Sequence, residues 1–247
     1  MKNILAAIAA ALLLVQPVLG TEATADPVIR TEQVQFAKGA TSAVINGQVK
    51  GDSDVDYLVR AGAGQTLTVT LKRTNPQNYF NINPPESDLS MFVGQTGENF
   101  KGVLPTDGNY TVRVYLMRPA ARRNESSNYT LTISVTGKAL TPVPASKDAL
   151  IPGTLFHAAA KITCVTFIET KAQECEAFVI RRGFDGTATV EIRGANAAKR
   201  RILFVKGKPV ASDSQDPVTF SRKGDLSIVR FGTDERYEIP DALIVGG

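Results

Sequence analysis

The stretch Tyr129-Thr130-Leu131-Thr132-Ile133-Ser134-Val135 puts an apolar residue at every second position. Successive side chains of a β-strand point to opposite faces, so this period buries Tyr129, Leu131, Ile133 and Val135 together and leaves the hydroxyl residues to water. The same alternation recurs upstream at 43–49, 57–59, 66–71 and 110–115. Between these runs stand turn-forming clusters, Gly51-Asp52-Ser53-Asp54, Gly62-Ala63-Gly64 and Asp107-Gly108-Asn109. Almost no segment keeps a helical period, and an antiparallel β-sandwich over 26–137 follows. Downstream, runs at 187–192, 201–205, 218–220, 226–231 and 236–240 repeat the pattern around turns such as Gly183-Phe184-Asp185-Gly186 and Lys223-Gly224-Asp225. They predict a second small β-sheet or open barrel over 153–247, so the chain is all-β. The two halves share no repeat that aligns.

Between them lies a Pro- and Ala-rich stretch, Leu140-Thr141-Pro142-Val143-Pro144-Ala145-Ser146. It has too few apolar residues to build structure of its own, and 138–152 reads as a linker. At the other end, Lys2 followed by an apolar and Ala run over 4–15, with Pro17 beyond it, reads as a secretory signal over 1–25. Cleavage after Gly20 or after Ala23-Thr24-Ala25 fits, with a mature start near Asp26. The run is shorter than the roughly 20 residues a membrane helix needs, and no later stretch approaches that length, so the expectation is a periplasmic or secreted protein that is not membrane-embedded. In such an oxidising compartment Cys164 and Cys175, the two cysteines of the chain, are expected to form a disulfide. Cys-x10-Cys lacks the CxxC spacing of a redox pair or a metal half-site.

A formal net charge of +4 on 247 residues, with a pI of about 9.1, is mildly basic. Basic and acidic residues interleave through both halves, without the concentrated face that a nucleic-acid partner requires. The densest run, Lys199-Arg200-Arg201, leads at once into Ile202-Leu203-Phe204-Val205 and reads as a solvated turn before a strand.

Catalytic groupings are sparse. A nucleophile needs a base beside it, most often His, and the single histidine, His157, sits in an Ala-rich strand start with no GxSxG turn in the chain. It reads as a partly buried structural residue. One His and two paired Cys cannot assemble a zinc site. Asp52, Asp54 and Asp56 alternate like oxygen ligands for calcium, but the EF-hand Gly and Glu are missing, which favours a solvated turn. Neither GxxxxGK[ST] nor a GxGxxG after a strand occurs, so no cofactor is expected. The Asn-x-Ser/Thr triplets at Asn109, Asn124 and Asn128 mark exposed polar turns. The chain reads as a binding protein, not an enzyme.

The segment 108–124 carries the most information. A strand ending in Tyr115-Leu116 runs into the loop Met117-Arg118-Pro119-Ala120-Ala121-Arg122-Arg123-Asn124, crowding three guanidinium groups at one strand end. Loops on a rigid sheet are where binding residues tend to lie, and arginines suit bidentate grips on carboxylates. A solvated hairpin tip has the same composition. Together with Val34-Gln35-Phe36-Ala37-Lys38-Gly39, the acidic loop from Gly51 to Tyr57, and Gly64-Gln65-Thr66-Leu67, this segment resembles the periplasmic inhibitors of g-type lysozyme. The resemblance spans about Val34 to Val135, and its strongest part is the spacing of Arg113, Arg118 and Arg122.

That resemblance implies a β-sandwich whose loops enter the substrate cleft of a lysozyme, with Tyr57, Arg113, Arg118, Arg122 and Arg123 as the partner-binding residues. A lysozyme cleft is lined with carboxylates, so entering arginines find charge partners there and block the sugar. The Pro-rich region 75–85 is longer than the family suggests, and Pro119 follows the first candidate arginine; either reshapes the binding edge. The sandwich also resembles accessory domains of secreted peptidases, and the alternative function is an envelope accessory or adhesion module that binds peptidoglycan, polysaccharide or a partner protein.

Overall fold

In the computed structural model, which describes residues 29–195 and 199–246, the alternating segments of the first half sort into two facing sheets. The signal expected over 1–25 lies outside the described residues. The strands are β1 (Ile29–Gln33), β2 (Ser42–Lys50), β3 (Asp54–Ala61), β4 (Thr66–Arg73), β5 (Asn78–Asn83), β6 (Phe92–Val93), β7 (Asn99–Val103), β8 (Gly108–Leu116) and β9 (Ser126–Thr136), with a short helix α1 (Arg118–Arg122) between β8 and β9. One sheet runs β1-β3-β8-β5-β6 and the other β2-β9-β4-β7. All pairings are antiparallel except β1 with β3. That exception follows from the path of the chain, which crosses to the other sheet as β2 and returns as β3, a route too long for a hairpin.

The alternation works as read. Val55, Tyr57, Val59, Phe80, Ile82, Val112 and Val114 from one sheet meet Leu67, Val69, Leu71, Leu131 and Ile133 from the other. The Tyr57 and Tyr129 hydroxyls, 2.8 Å apart, satisfy each other inside this apolar layer. Gly47 stands opposite Tyr129 in the register, and a Cβ there would lie 2.5 Å from the ring, so only glycine leaves it room.

The second half forms one eight-stranded sheet from β10 (Ala158–Val165), β11 (Gln173–Arg181), β12 (Ala188–Arg193), β13 (Lys199–Val205), β14 (Lys208–Ser212), β15 (Val218–Lys223), β16 (Leu226–Phe231) and β17 (Glu235–Pro240), closed by a helix α2 (Asp241–Val245). Its order is β14-β13-β12-β11-β10-β17-β16-β15, and the edge strands β14 and β15 approach each other, so the sheet is nearly closed. Val190, Ile192, Ile202, Phe204, Val229, Tyr237 and Ile239 fill its interior, with Leu243 and Ile244 of α2. Cys164 and Cys175 are joined as a buried disulfide across the β10–β11 hairpin. A loop this short stabilises by about 3 kcal/mol in the chain-entropy model. Replacing both cysteines by alanine is therefore expected to lower the stability of the second half by about that amount, read in a urea melt.

The solvated turn expected at Lys199-Arg200-Arg201 is not what forms. These residues open β13, where both faces are covered, and Arg200 and Arg201 are 9% and 3% exposed. Arg200 points into the barrel. Its Nε and Nη2 donate to the Glu235 carboxylate at 2.6 and 3.0 Å, and its Nη1 donates to Asp213 Oδ1 at 3.1 Å. The Tyr237 hydroxyl donates to Glu235 at 2.7 Å. On the outer side Arg201 donates to Glu191 through Nε at 2.9 Å. Burial pushes the Glu191 carboxyl up, but the hydrogen bond from Arg193 and the charge of Arg201 outweigh it, and the net shift is downward. Glu191 thus adds stability that is fully present above the ordinary carboxylate range near pH ~4.3 and lost as pH falls through its lowered pKa. A Glu191→Gln variant is expected to show a flatter acid limb of stability against pH than the parent, as read by thermal melts between about pH 5 and 3.

Residues 138–157 carry no strand and are pinned to both halves. Leu140 N–H donates to Ala63 O, and Val143 N–H donates to Arg181 O. His157 is structural: Nδ1 accepts the Arg181 N–H at 3.0 Å, which leaves Nε2–H to donate to Val143 O at 2.8 Å. The sandwich end formed by the β3–β4 and β7–β8 loops rests on the second half. Ala63 packs with Leu140, Leu203 and Ala211, the Thr189 hydroxyl donates to Pro105 O at 2.7 Å, and Arg182 pairs with Asp107 at 2.8 Å.

Candidate partner-binding site

With one end of the sandwich covered, the opposite end is open, and it carries the arginine-rich segment. β8 ends at Leu116, Met117 N–H donates to Gln77 O at 2.9 Å, and the chain turns into α1. Pro119 sits in the first turn of α1, where its missing N–H costs nothing and its fixed φ suits a helix start. Pro119 therefore builds the loop. Ala120 and Ala121 are buried against the sandwich, at 0% and 5% exposure, which turns Arg118 and Arg122 outward. Asn124 then reverses the chain with φ of 52°, and Gly51 N–H donates to Glu125 O at 2.9 Å, tying the β2–β3 turn to the same end.

The five candidate residues differ sharply in position. Arg118 and Arg122 are exposed and have no carboxylate partner among the described residues. Arg123, also exposed, gives its Nε to Glu125 at 2.6 Å, and Glu125 also accepts from Asn75 Nδ2 at 2.8 Å. Arg113 lies on the outer face of the β1-β3-β8-β5-β6 sheet, where its Nε and Nη2 both donate to Asp56 at 2.7 Å. This fork holds the acidic strand β3 to β8 and raises the Arg113 pKa through that hydrogen bond. Tyr57 is the correction: at 1% exposure it is a core residue, because its position on β3 shares the inward face with Val55 and Val59. The acidic loop also differs from a turn, since Asp54 and Asp56 belong to β3 and only Asp52 stays outside it. No group of three or more His, Cys, Asp or Glu poised for a metal occurs among the described residues.

Sequence reading missed the aromatic part of this face. Tyr79 of β5 and Tyr115 of β8 are register partners with ring centroids 6.5 Å apart, and the Tyr115 hydroxyl donates to Asn81 Oδ1 at 3.0 Å. The Arg73 guanidinium lies 4.7 Å from the Tyr79 ring and pairs with Glu98 at 2.7 Å. Tyr79 lies within the Pro-rich 75–85 region, where β5 was not foreseen; the period-two run Asn78-Tyr79-Phe80-Asn81-Ile82-Asn83 was its signal. Half-buried tyrosines and arginine on one sheet face, followed in the chain by two exposed arginines without a carboxylate partner among the described residues, have the composition that protein-binding surfaces favour.

No family model matches the chain. Over 104 residues it is 31% identical to the inhibitor of g-type lysozyme of Escherichia coli (strain K12), spanning 41% of this chain and 78% of that protein. Among solved structures, PliG of Aeromonas hydrophila, a periplasmic inhibitor of g-type lysozyme, is 34% identical, with 44% of this chain and 99% of that chain covered and a TM-score of 0.43. A mutant PliG from Escherichia coli is 26% identical, at 44% and 99% coverage and a TM-score of 0.36. The matched part is the first half.

Proposed function

The chain belongs, through its first half, to the family of inhibitors of g-type lysozyme, and from that premise we propose that it is a periplasmic protein that blocks a g-type lysozyme by seating the α1 end of its sandwich in the enzyme's sugar-binding cleft. One observation carries this reading. Of the two sandwich ends, one rests on the second half through Ala63, Pro105 and Asp107, while the other presents Arg118 and Arg122 outward and without a carboxylate partner among the described residues.

The two free guanidinium groups supply the charge that a carboxylate-lined cleft lacks, and desolvation on docking strengthens each pair it completes. Arg113 and Arg123 act differently. Their own carboxylates, Asp56 and Glu125, already hold them, so they set the shape of the face. Tyr79 and Tyr115 provide flat area beside α1, and Tyr57 contributes only through the core. The second half is a separate unit joined through 138–152; it braces the far end of the sandwich and takes no part in the cleft contact.

The test is to titrate a g-type lysozyme with the purified mature chain, with c-type and i-type enzymes as controls. Stoichiometric loss of g-type activity alone is the expected result. Undiminished g-type activity at a several-fold excess of folded protein, with the chain retained on peptidoglycan, would replace the reading with an envelope-binding module.

A further inference from the structure

Between the two halves lies a cavity of about 410 Å³ that the inhibitor reading does not use. Its floor is the outer face of β11 and β12. There the Phe156 and Phe178 rings meet at 5.0 Å between centroids, tilted by 37°, and the Arg193 guanidinium covers the Phe178 ring at 4.4 Å. Leu155 forms the rim and is 75% exposed, an apolar side chain left to water beside an apolar floor.

The same face is cationic toward β13, and its charge is incompletely used. Arg193 spends Nε and Nη2 on a single oxygen of Glu191. Arg201 gives Nε to Glu191 and Nη1 to Asp213, but its Nη2 makes no hydrogen bond among the described residues. That Nη2 lies 3.9 Å from Glu86 Oε2, and the same oxygen lies 3.8 Å from Lys199 Nζ. Both contacts exceed hydrogen-bond length. The Glu86 side chain is 82% exposed, and its backbone sits at φ 53°, a conformation few non-glycine residues adopt. Glu86 thus occupies a carboxylate position over Arg201 and Lys199 without being bonded there.

We propose that this cavity binds a small carboxylate carried on an apolar or ring-shaped body, and that the ligand's carboxylate displaces that of Glu86. The carboxylate takes the unspent Arg201 Nη2 and Lys199, where charge-assisted bonds at a mostly buried arginine are strong. The body lies beside Arg193 against Phe156 and Phe178 and covers Leu155. The volume suits a ligand the size of an acylated amino acid or a single carboxylated amino sugar, at the lower end of small-molecule sites.

Two probes distinguish those sources, N-acetyl-L-phenylalanine and N-acetylmuramic acid, each titrated by calorimetry or NMR into the full chain up to about 10 mM, well above the weak-ligand range. The amide of N-acetyl-L-phenylalanine is the neutral control. At least one acid is expected to bind, and its neutral counterpart about tenfold more weakly. Glu86→Gln, an exposed substitution that leaves the fold intact, is expected to tighten the acid several-fold by removing the competitor, and Phe178→Leu to weaken it. Failure of both acids to bind the parent and Glu86→Gln chains, equal affinity for acid and amide, or weaker binding by Glu86→Gln would overturn the proposal. Lysozyme inhibition, measured on the same variants, is expected to be unchanged, so this site stands or falls apart from the first.

Discussion

A chain carrying Arg118→Ala and Arg122→Ala together is expected to lose affinity for a g-type lysozyme by about 30-fold or more, while its melting curve stays that of the parent. The size of the loss follows from the kind of pair removed. Truncating one side of a desolvated charge pair costs about 2 to 5 kcal/mol, and 2 kcal/mol alone is roughly a 30-fold change in affinity. The unchanged melt follows from the free protein, where both side chains are exposed and neither is ion-paired among the described residues, so α1 keeps its buried Ala120 and Ala121 contacts. Raising the salt concentration should weaken the parent and leave the variant nearly unaffected, because steering by exposed charge is screened. An Arg123→Ala chain serves as a comparison: its guanidinium is already held by Glu125, and its loss should be the smaller one. If the double variant inhibits as well as the parent, α1 is not the contact.

The second large effect lies in the barrel. Arg200→Met keeps the length and apolar stem of the side chain but leaves buried Glu235 without its cation and Asp213 with only the longer contact from Arg201 at 3.5 Å. Breaking a buried pair in this way costs about 3 to 5 kcal/mol, because an uncompensated charge stays in a poorly hydrated site. The expected result is a large drop in the unfolding midpoint of the second half. The exposed pair Arg222 with Asp241 gives the contrast, since Arg222→Ala should move the midpoint far less. Equal shifts for the two variants would mean that the Arg200 network contributes no more than a surface pair.

Much of this architecture was legible in the pattern of residues because period two has one simple solution. Leu67, Val69 and Leu71, or Leu131 and Ile133, can share a face only as strands, and each of them is in the core. The cysteine pair was equally plain, since a single pair in an exported chain has one way to close. Arg200 and Arg201 were misread because burial on both faces of β13 is a property of the closed sheet and the covering half, and no local pattern announces it. Tyr57 was misplaced for a related reason. The resemblance set it beside the acidic loop from Gly51, whereas the strand begins at Asp54 and alternation sends Tyr57 inward. At the candidate site the loop and its arginines were visible, but the difference between free Arg118 and Arg122 and the engaged Arg113 and Arg123 was not. That difference depends on Asp56 across the strand pair and Glu125 beyond the turn, which only the register supplies.

The claim that the α1 end is the inhibitory surface is tested most directly by amide hydrogen exchange of the mature chain with and without a saturating g-type lysozyme. Slowed exchange is expected over 117–125 and in the 51–53 turn at the same end, with 62–65, 104–108 and the second half unchanged. Protection confined to the second half or to the 62–65 and 104–108 loops, or no protection at all, would contradict it.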